Sequence, residues 1–400
     1  MMLLLATAAL AATWTAGIDA PTLQETLALA ADGDTVEVPD GTWPGPVLVD
    51  RAITLTSTGG VIDGGGEGSV VRVSAPGAAL DGLRVQNSGQ DLRGPDACVY
   101  LEPSAVGATV RGSELEECAF GIWVHEGREV LLEDNRIRSR PLRQTSNRGN
   151  GIQLFDGRRL VVRGNHIEGA RDGIYVGATH DSRIEGNHAS NVRYGIHYMY
   201  SYDNHVVGNV MTGNTGGIAL MQSLRLTVVD NVSTDNERRG ILFRDVRYST
   251  IRGNRVERNG EGLFFFSSLD NVIEGNLISD NEVGARVWAG TSRNVITGND
   301  FVGNRQQIFY VAREDQVWGT EEDGNYWSDY LGWDQDGDGL GDRPYQADSL
   351  LANLLYTYPT AALLLSSPAL ELLRWLQARM PVLRTPTVID PHPRMRPGDG

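Results

Sequence analysis

Gly173-Ile174-Tyr175-Val176-Gly177-Ala178-Thr179-His180-Asp181-Ser182-Arg183-Ile184-Glu185-Gly186-Asn187-His188-Ala189-Ser190-Asn191-Val192-Arg193-Tyr194 is followed at Gly195-Ile196 by the same phrase again. A Gly before an aliphatic residue opens the unit, and a Gly-Asn pair divides it. The opening mark recurs at Gly121, Gly151, Gly173, Gly195, Gly217, Gly240, Gly262 and Gly284. The dividing mark, Gly-Asn or Asp-Asn, puts Asn at 135, 165, 187, 209, 231, 254, 276 and 299. These Asn lie 22 or 23 residues apart except for one interval of 30, which an Arg-rich insertion around Ser139 to Asn147 lengthens. So fixed a period marks one structural unit stacked on copies of itself.

The unit is too short for a pair of helices, and it is rich in Val, Ile, Gly and Asn. Two or three short strands joined by Gly, Asn, Asp and Ser turns fit it. Strands of this length bury nothing alone, so they must stack on their own copies. The expected fold is all-β, a right-handed parallel β-helix (a solenoid) rising about 4.8 Å per coil. Alternation along each strand makes the residue after the repeat Gly the interior one: Ile122, Ile152, Ile174, Ile196, Ile218, Ile241 and Leu263. Met211 aligns with Ile167 and Ile278 and belongs to the same core. The repeated Asn is expected to form a structural ladder, each stacked on its equivalent one coil away in a turn that tolerates left-handed backbone.

Around this repeat, the sequence divides into five parts. Residues 1–12 read as a secretory signal with a small-residue cleavage site at Ala9-Leu10-Ala11. Residues 20–60 form an N-terminal cap, with an amphipathic helix from Leu23 to Ala31 covering the first coil. The β-helix occupies 61–320. An aromatic and Asp-rich linker loop fills 321–346. Residues 347–400 form a partly helical, partly extended C-terminal docking segment. The net charge of −16 and pI of about 4.9 argue against nucleic acid as a partner. After residue 12 no run of twenty apolar residues occurs, so the chain reads as exported and soluble. Cys98 and Cys118 lie close to one coil apart, which allows either a disulfide or two buried thiols.

Two groups of residues have metal-ligand chemistry. Asp334, Asp336, Asp338 and Asp342, with a Gly turn among them, have the spacing of a calcium loop but present Tyr345 where its bidentate Glu would stand. A solvated acidic turn is the other reading. Met199 and Met221 each follow the repeat Gly by four residues, His197 shares their outward face, and His205 comes at the following turn. Thioether and imidazole donors select copper, although Met also fills irregular surfaces and docks partners. His166 and His188 share a register and read as an exposed pair. No pair of Asp residues falls on a repeat strand, so no residue is assigned to catalysis and the chain is not read as an enzyme.

Several blocks are more specific than the repeat. They are Arg193-Tyr194-Gly195-Ile196-His197-Tyr198-Met199-Tyr200-Ser201, Gly324-Asn325-Tyr326-Trp327-Ser328-Asp329-Tyr330, the Asp-rich run through Gly339, and Leu373-Arg374-Trp375 with Pro381-Val382-Leu383-Arg384. In this order they resemble the NosD family, which matures nitrous oxide reductase in the periplasm. The resemblance implies an accessory protein working with an ABC transporter permease and ATPase and with a copper chaperone. Together they would build the copper-sulfide centre of the reductase, the accessory protein sitting peripheral to the membrane. It also implies a copper or partner role for His197, Met199 and Met221, and partner contacts at Trp327, Tyr330, Leu373 and Trp375. An exported polysaccharide-binding or -modifying β-helix is the alternative.

Overall fold

The computed structural model describes residues 11–140, 144–288, 290–311, 314–347, 367–368, 372 and 386–398. Most of the signal read at 1–12, most of the leucine-rich stretch, and both Leu373 and Trp375 lie outside the described residues. The described chain is a parallel β-solenoid of about 14 turns, nearly all strand. It divides into two compact units, residues 1–197 and 198–400.

In the first unit each coil gives one strand to each of three parallel sheets. The coil with strands Phe120–His125, Leu131–Glu133 and Arg136–Arg138 stacks on Ile152–Phe155, Val161–Arg163 and His166–Glu168. The pairing is in register: Ile122 faces Ile152, Leu132 faces Val162 and Ile137 faces Ile167. All six side chains are buried, which is the interior column expected from alternation. The cap begins earlier than residue 20. A strand Thr13–Thr15 pairs with Thr35–Val38 before the helix Leu23–Leu29. That helix starts with a Thr22/Glu25 capping box and buries Leu23 and Leu27. Cys98, in the strand Ala97–Leu101, is disulfide-bonded to Cys118 with Cα atoms 5.5 Å apart.

The second unit repeats the arrangement. Ile218, Ile241, Leu263 and Ala285 form its interior column, with Phe243 and Phe265 stacked 4.6 Å apart beside it. Met211 is fully buried, as its alignment predicts.

The Asn ladder is a hydrogen-bonded column. The backbone N and Nδ2 of Asn254 donate to Oδ1 of Asn276 at 2.9 and 2.8 Å, and Asn276 donates to Asn299 at 3.0 and 2.8 Å in the same way. Asn135, Asn165 and Asn187 form the same chain in the first unit. The residue before each Asn, rather than the Asn, is left-handed: Asp134, Gly164, Asp230 and Gly275 have φ between 54° and 65°. Only Gly, or Asp and Asn, tolerate that region cheaply, which is why the dividing mark alternates between Gly-Asn and Asp-Asn. The opening Gly answers a different need. A Cβ on Gly262 would stand 2.5 Å from the carbonyl oxygen of Gly284, so the coils could not approach. A second column, Asn214, Asn236, Asn259, Asn281 and Asn304, runs five residues behind the first and was not anticipated.

The C-terminal tail is not simply extended. Val388–Asp390 forms a strand, parallel to Gln316–Val317 and antiparallel to Tyr345–Gln346. It delivers a fully buried Asp390, whose Oδ2 accepts from Asn325 N (2.7 Å), Asn325 Nδ2 (3.0 Å) and Trp327 Nε1 (3.0 Å). The carboxylate takes the place that the amide oxygen of a further coil would hold.

Candidate functional site

One polar cluster of the first unit gathers around a buried carboxylate. Asp172 precedes the repeat Gly173 and is 1% exposed, a carboxylate taken out of water. The next coil supplies its partners, because Arg193 and His197 follow 21 and 25 residues later. Arg193 grips the carboxylate in a bidentate fork, Nε to Oδ1 at 2.8 Å and Nη2 to Oδ2 at 2.6 Å. His197 Nδ1 lies 2.9 Å from the same Oδ2. Burial pushes the Asp172 carboxyl up, but the hydrogen bonds from His197 and Arg193 outweigh it and hold the group below the ordinary carboxylate value. Arg193 is correspondingly raised: burial pulls it down and Asp172 more than compensates.

The imidazole of His197 is 7% exposed. Tyr175 meets it edge-on with ring centroids 5.2 Å apart, and Tyr194 lies against it at the same distance. Arg193 also sits over the Tyr194 ring, 5.0 Å from its centroid. The far nitrogen, Nε2, is buried and has no hydrogen-bond partner among the described residues.

Met199 ends the strand Tyr194–Met199, and Met221 ends Gly216–Met221; both side chains are half-buried. Ser201 N donates to Ser223 Oγ at 3.2 Å, and each serine hydroxyl donates to the carbonyl of the Met two residues before it, at 2.9 and 2.7 Å. The two thioethers therefore hold equivalent places on consecutive coils. His205 is not brought to them. Left-handed residues at Tyr200 and Asp203 turn the chain, and His205 opens the exposed end of His205–Val207 in another sheet, opposite Thr227.

His166 and His188 do stack, with ring centroids 4.5 Å apart and planes parallel. Burial, and then its neighbour His166, hold His188 below the usual imidazole value.

In the acidic loop, ligand atoms of Asp334, Asp336 and Asp338 lie within 4.8 Å of one another. Their own backbone already serves them: Gly337 N and Gly339 N donate to Asp334, and Leu340 N donates to Asp338. Asp342 accepts instead from Gln335 N at 2.6 Å. The loop is strapped to the C-terminal strand region through Gly341 N to Pro393 O and Met395 N to Gly339 O.

Trp327 is 1% exposed, which takes it off any surface a partner could touch. It stacks between Phe301 and Tyr345 at 4.4 and 4.3 Å, because the end of the coil stack needs a flat apolar lid. Tyr330 is half-buried, its hydroxyl donating to Arg343 O at 2.6 Å.

Sequence reasoning missed Asp172 and Arg193. The available signal was a carboxylate in the place before the repeat Gly, with an Arg one coil later.

A family model described as "Periplasmic copper-binding protein (NosD)" matches residues 133–332. A protein of Pseudomonas aeruginosa named "Probable ABC transporter binding protein NosD" is 42% identical over 386 residues, covering 92% of this chain and 90% of that protein. A Stutzerimonas stutzeri protein of the same name is 38% identical over 394 residues, covering 94% and 90%. Among solved structures, the Yersinia enterocolitica family 28 exopolygalacturonase superposes with a TM-score of 0.53 at 11% identity, over 73% of this chain and 79% of that one. That likeness shows the solenoid fold alone. With a family model across half its length and relatives matched nearly end to end, the chain belongs to the NosD family of periplasmic copper-binding proteins.

Proposed function

We propose that this chain is a periplasmic, non-enzymatic accessory protein that works with an ABC transporter to assemble the copper-sulfide centre of nitrous oxide reductase. The observation that carries the reading is the match to relatives named as ABC transporter binding proteins, over 90% of their length. The β-solenoid acts as a docking platform, and copper is a cargo handed across it with the help of a copper chaperone. A disulfide between Cys98 and Cys118 suits an oxidising compartment.

The residues present fit a copper cargo. In the second unit Met199 and Met221 offer thioethers on consecutive coils, and in the first unit His197 separately offers a buried imidazole nitrogen; both are donor types that cuprous ion prefers. The transporter contact is tested by affinity purification of the tagged full chain from membranes. Recovery of a permease and an ATPase supports the reading; a preparation without either, from cells that express both, overturns it. Copper handling is tested separately by titrating the purified chain with cuprous ion. Met199→Ala with Met221→Ala should weaken uptake, and unchanged affinity in the double variant removes the thioethers from the path.

A further inference from the structure

The Asp172–Arg193–His197 cluster has an asymmetry that packing does not require. Each imidazole has two nitrogens, and which one carries the proton is set by what the other meets. Nδ1 of His197 lies 2.9 Å from Asp172 Oδ2 and 3.2 Å from Arg193 Nη2. An ionised carboxylate only accepts and a guanidinium only donates, so the two contacts demand opposite tautomers. The carboxylate is the closer. The guanidinium already spends Nε and Nη2 on the carboxylate at 2.8 and 2.6 Å. Nδ1 therefore carries the proton and gives it to Asp172.

What remains is Nε2 with a bare lone pair, buried and without a partner among the described residues. Had the proton been on Nε2, Nδ1 would stand bare against an ionised carboxylate, two acceptors 2.9 Å apart. A lone pair shielded by Tyr175 and Tyr194 is instead a donor atom kept dry for a cation. Carboxylates that hold the remote nitrogen of a ligating imidazole fix its ring orientation and raise its basicity.

We propose that Asp172, braced by Arg193, is a positioning residue that fixes the His197 imidazole with its proton on Nδ1 and presents Nε2 as a donor atom for a cuprous ion. The donor role rests on the copper reading given above; the orientation does not. Arg193 serves Asp172 and does not touch the ion.

Two measurements on the full chain separate these parts. With histidine labelled at both ring nitrogens, NMR of the metal-free chain should show His197 protonated on Nδ1 and bare on Nε2. This uses the unmodified protein and needs no variant to fold. Competition with a cuprous chelator should then show Asp172→Asn weakening binding by about 10- to 100-fold, the usual loss for a second-shell partner. His197→Ala should weaken it at least as much. A proton found on Nε2 overturns the orientation. Wild-type affinity in both variants, with the tautomer as stated, overturns the donor role while leaving copper handling to other ligands. A wild-type chain that takes up no cuprous ion overturns the donor role together with the copper reading, and the NMR result then tells that failure from a failure of the orientation.

Discussion

A single asparagine of the ladder holds two coils at once. Asn276 accepts two hydrogen bonds from Asn254 and gives its own to Asn299 and to the carbonyl of Ile251, all away from water. Replacing it with Ala strands buried donors and an acceptor. Asn276→Ala is therefore expected to destabilise by roughly 2–4 kcal/mol, read as a lowered urea midpoint. The two glycine marks should behave differently from each other. Gly275 is left-handed at φ 59° with open space around it, so Gly275→Ala costs only about 1–2 kcal/mol of backbone strain. Gly262→Ala drives a Cβ into the backbone of the next coil, and its loss in the same titration should be clearly the larger. Both registers were legible because repetition averages away everything except what each coil needs. Asp172 and Arg193 were not, since they occur once and their meaning depends on which side chains one coil sets above another.

At the scale of elements, the strands were readable and the connections were not. Alternation placed Ile196 and Leu263 inside correctly, because a strand has only two faces, and alignment with Ile167 and Ile278 did the same for Met211. His205 was drawn toward Met199 by closeness in sequence, but two left-handed residues carry it into another sheet. The blocks that distinguish this chain from other β-helices, around Trp327 and the acidic loop, include the parts that close the last coil. Their aromatic residues suggested a surface because nothing in the sequence tells a lid from a docking face. The short strand Val388–Asp390 is the element that fastens them. Asp390→Ala removes the common acceptor of three buried donors. Amide exchange at Asn325 and Trp327 should quicken by about 10- to 100-fold, which corresponds to about 1–3 kcal/mol of lost local stability. Amides near Asn231, several coils away, should keep their protection, because stacked repeats answer mainly to their neighbours.

At the scale of the whole molecule, stability is a sum over coils, and local clamps matter locally. The disulfide closes a segment of 20 residues in the early coils. Replacing both cysteines with Ser should cost about 3 kcal/mol, the chain-entropy value for loops near that length. The loss should appear first in the amides of Val99 and Ile122, and exchange rates at Asn254 and Asn276 should stay as they were; a uniform quickening would show a single cooperative unit instead. Exposed Arg–Asp pairs such as Arg225–Asp203 and Arg293–Asp270 recur along the turns. Water screens these pairs and salt weakens them further, so they trim the surface and do not set the fold.

The Asn-to-Asn bonds of the second unit's column have a direction: the side-chain amide oxygen of each Asn receives from the Asn one coil before it, and the same Asn gives in turn to the one a coil after. Such a column has no intrinsic stopping length. Asp390 ends it because its Oδ2 receives three hydrogen bonds and the side chain has no amide protons to pass on. Without residues 387–398, Asn325 would present bare protons in the geometry that a fresh rung recognises, beneath a flat aromatic plate. Another molecule could then supply that rung, and the chain would become one unit of a filament. The buried acid thus works as a chain terminator, in the polymer chemist's sense.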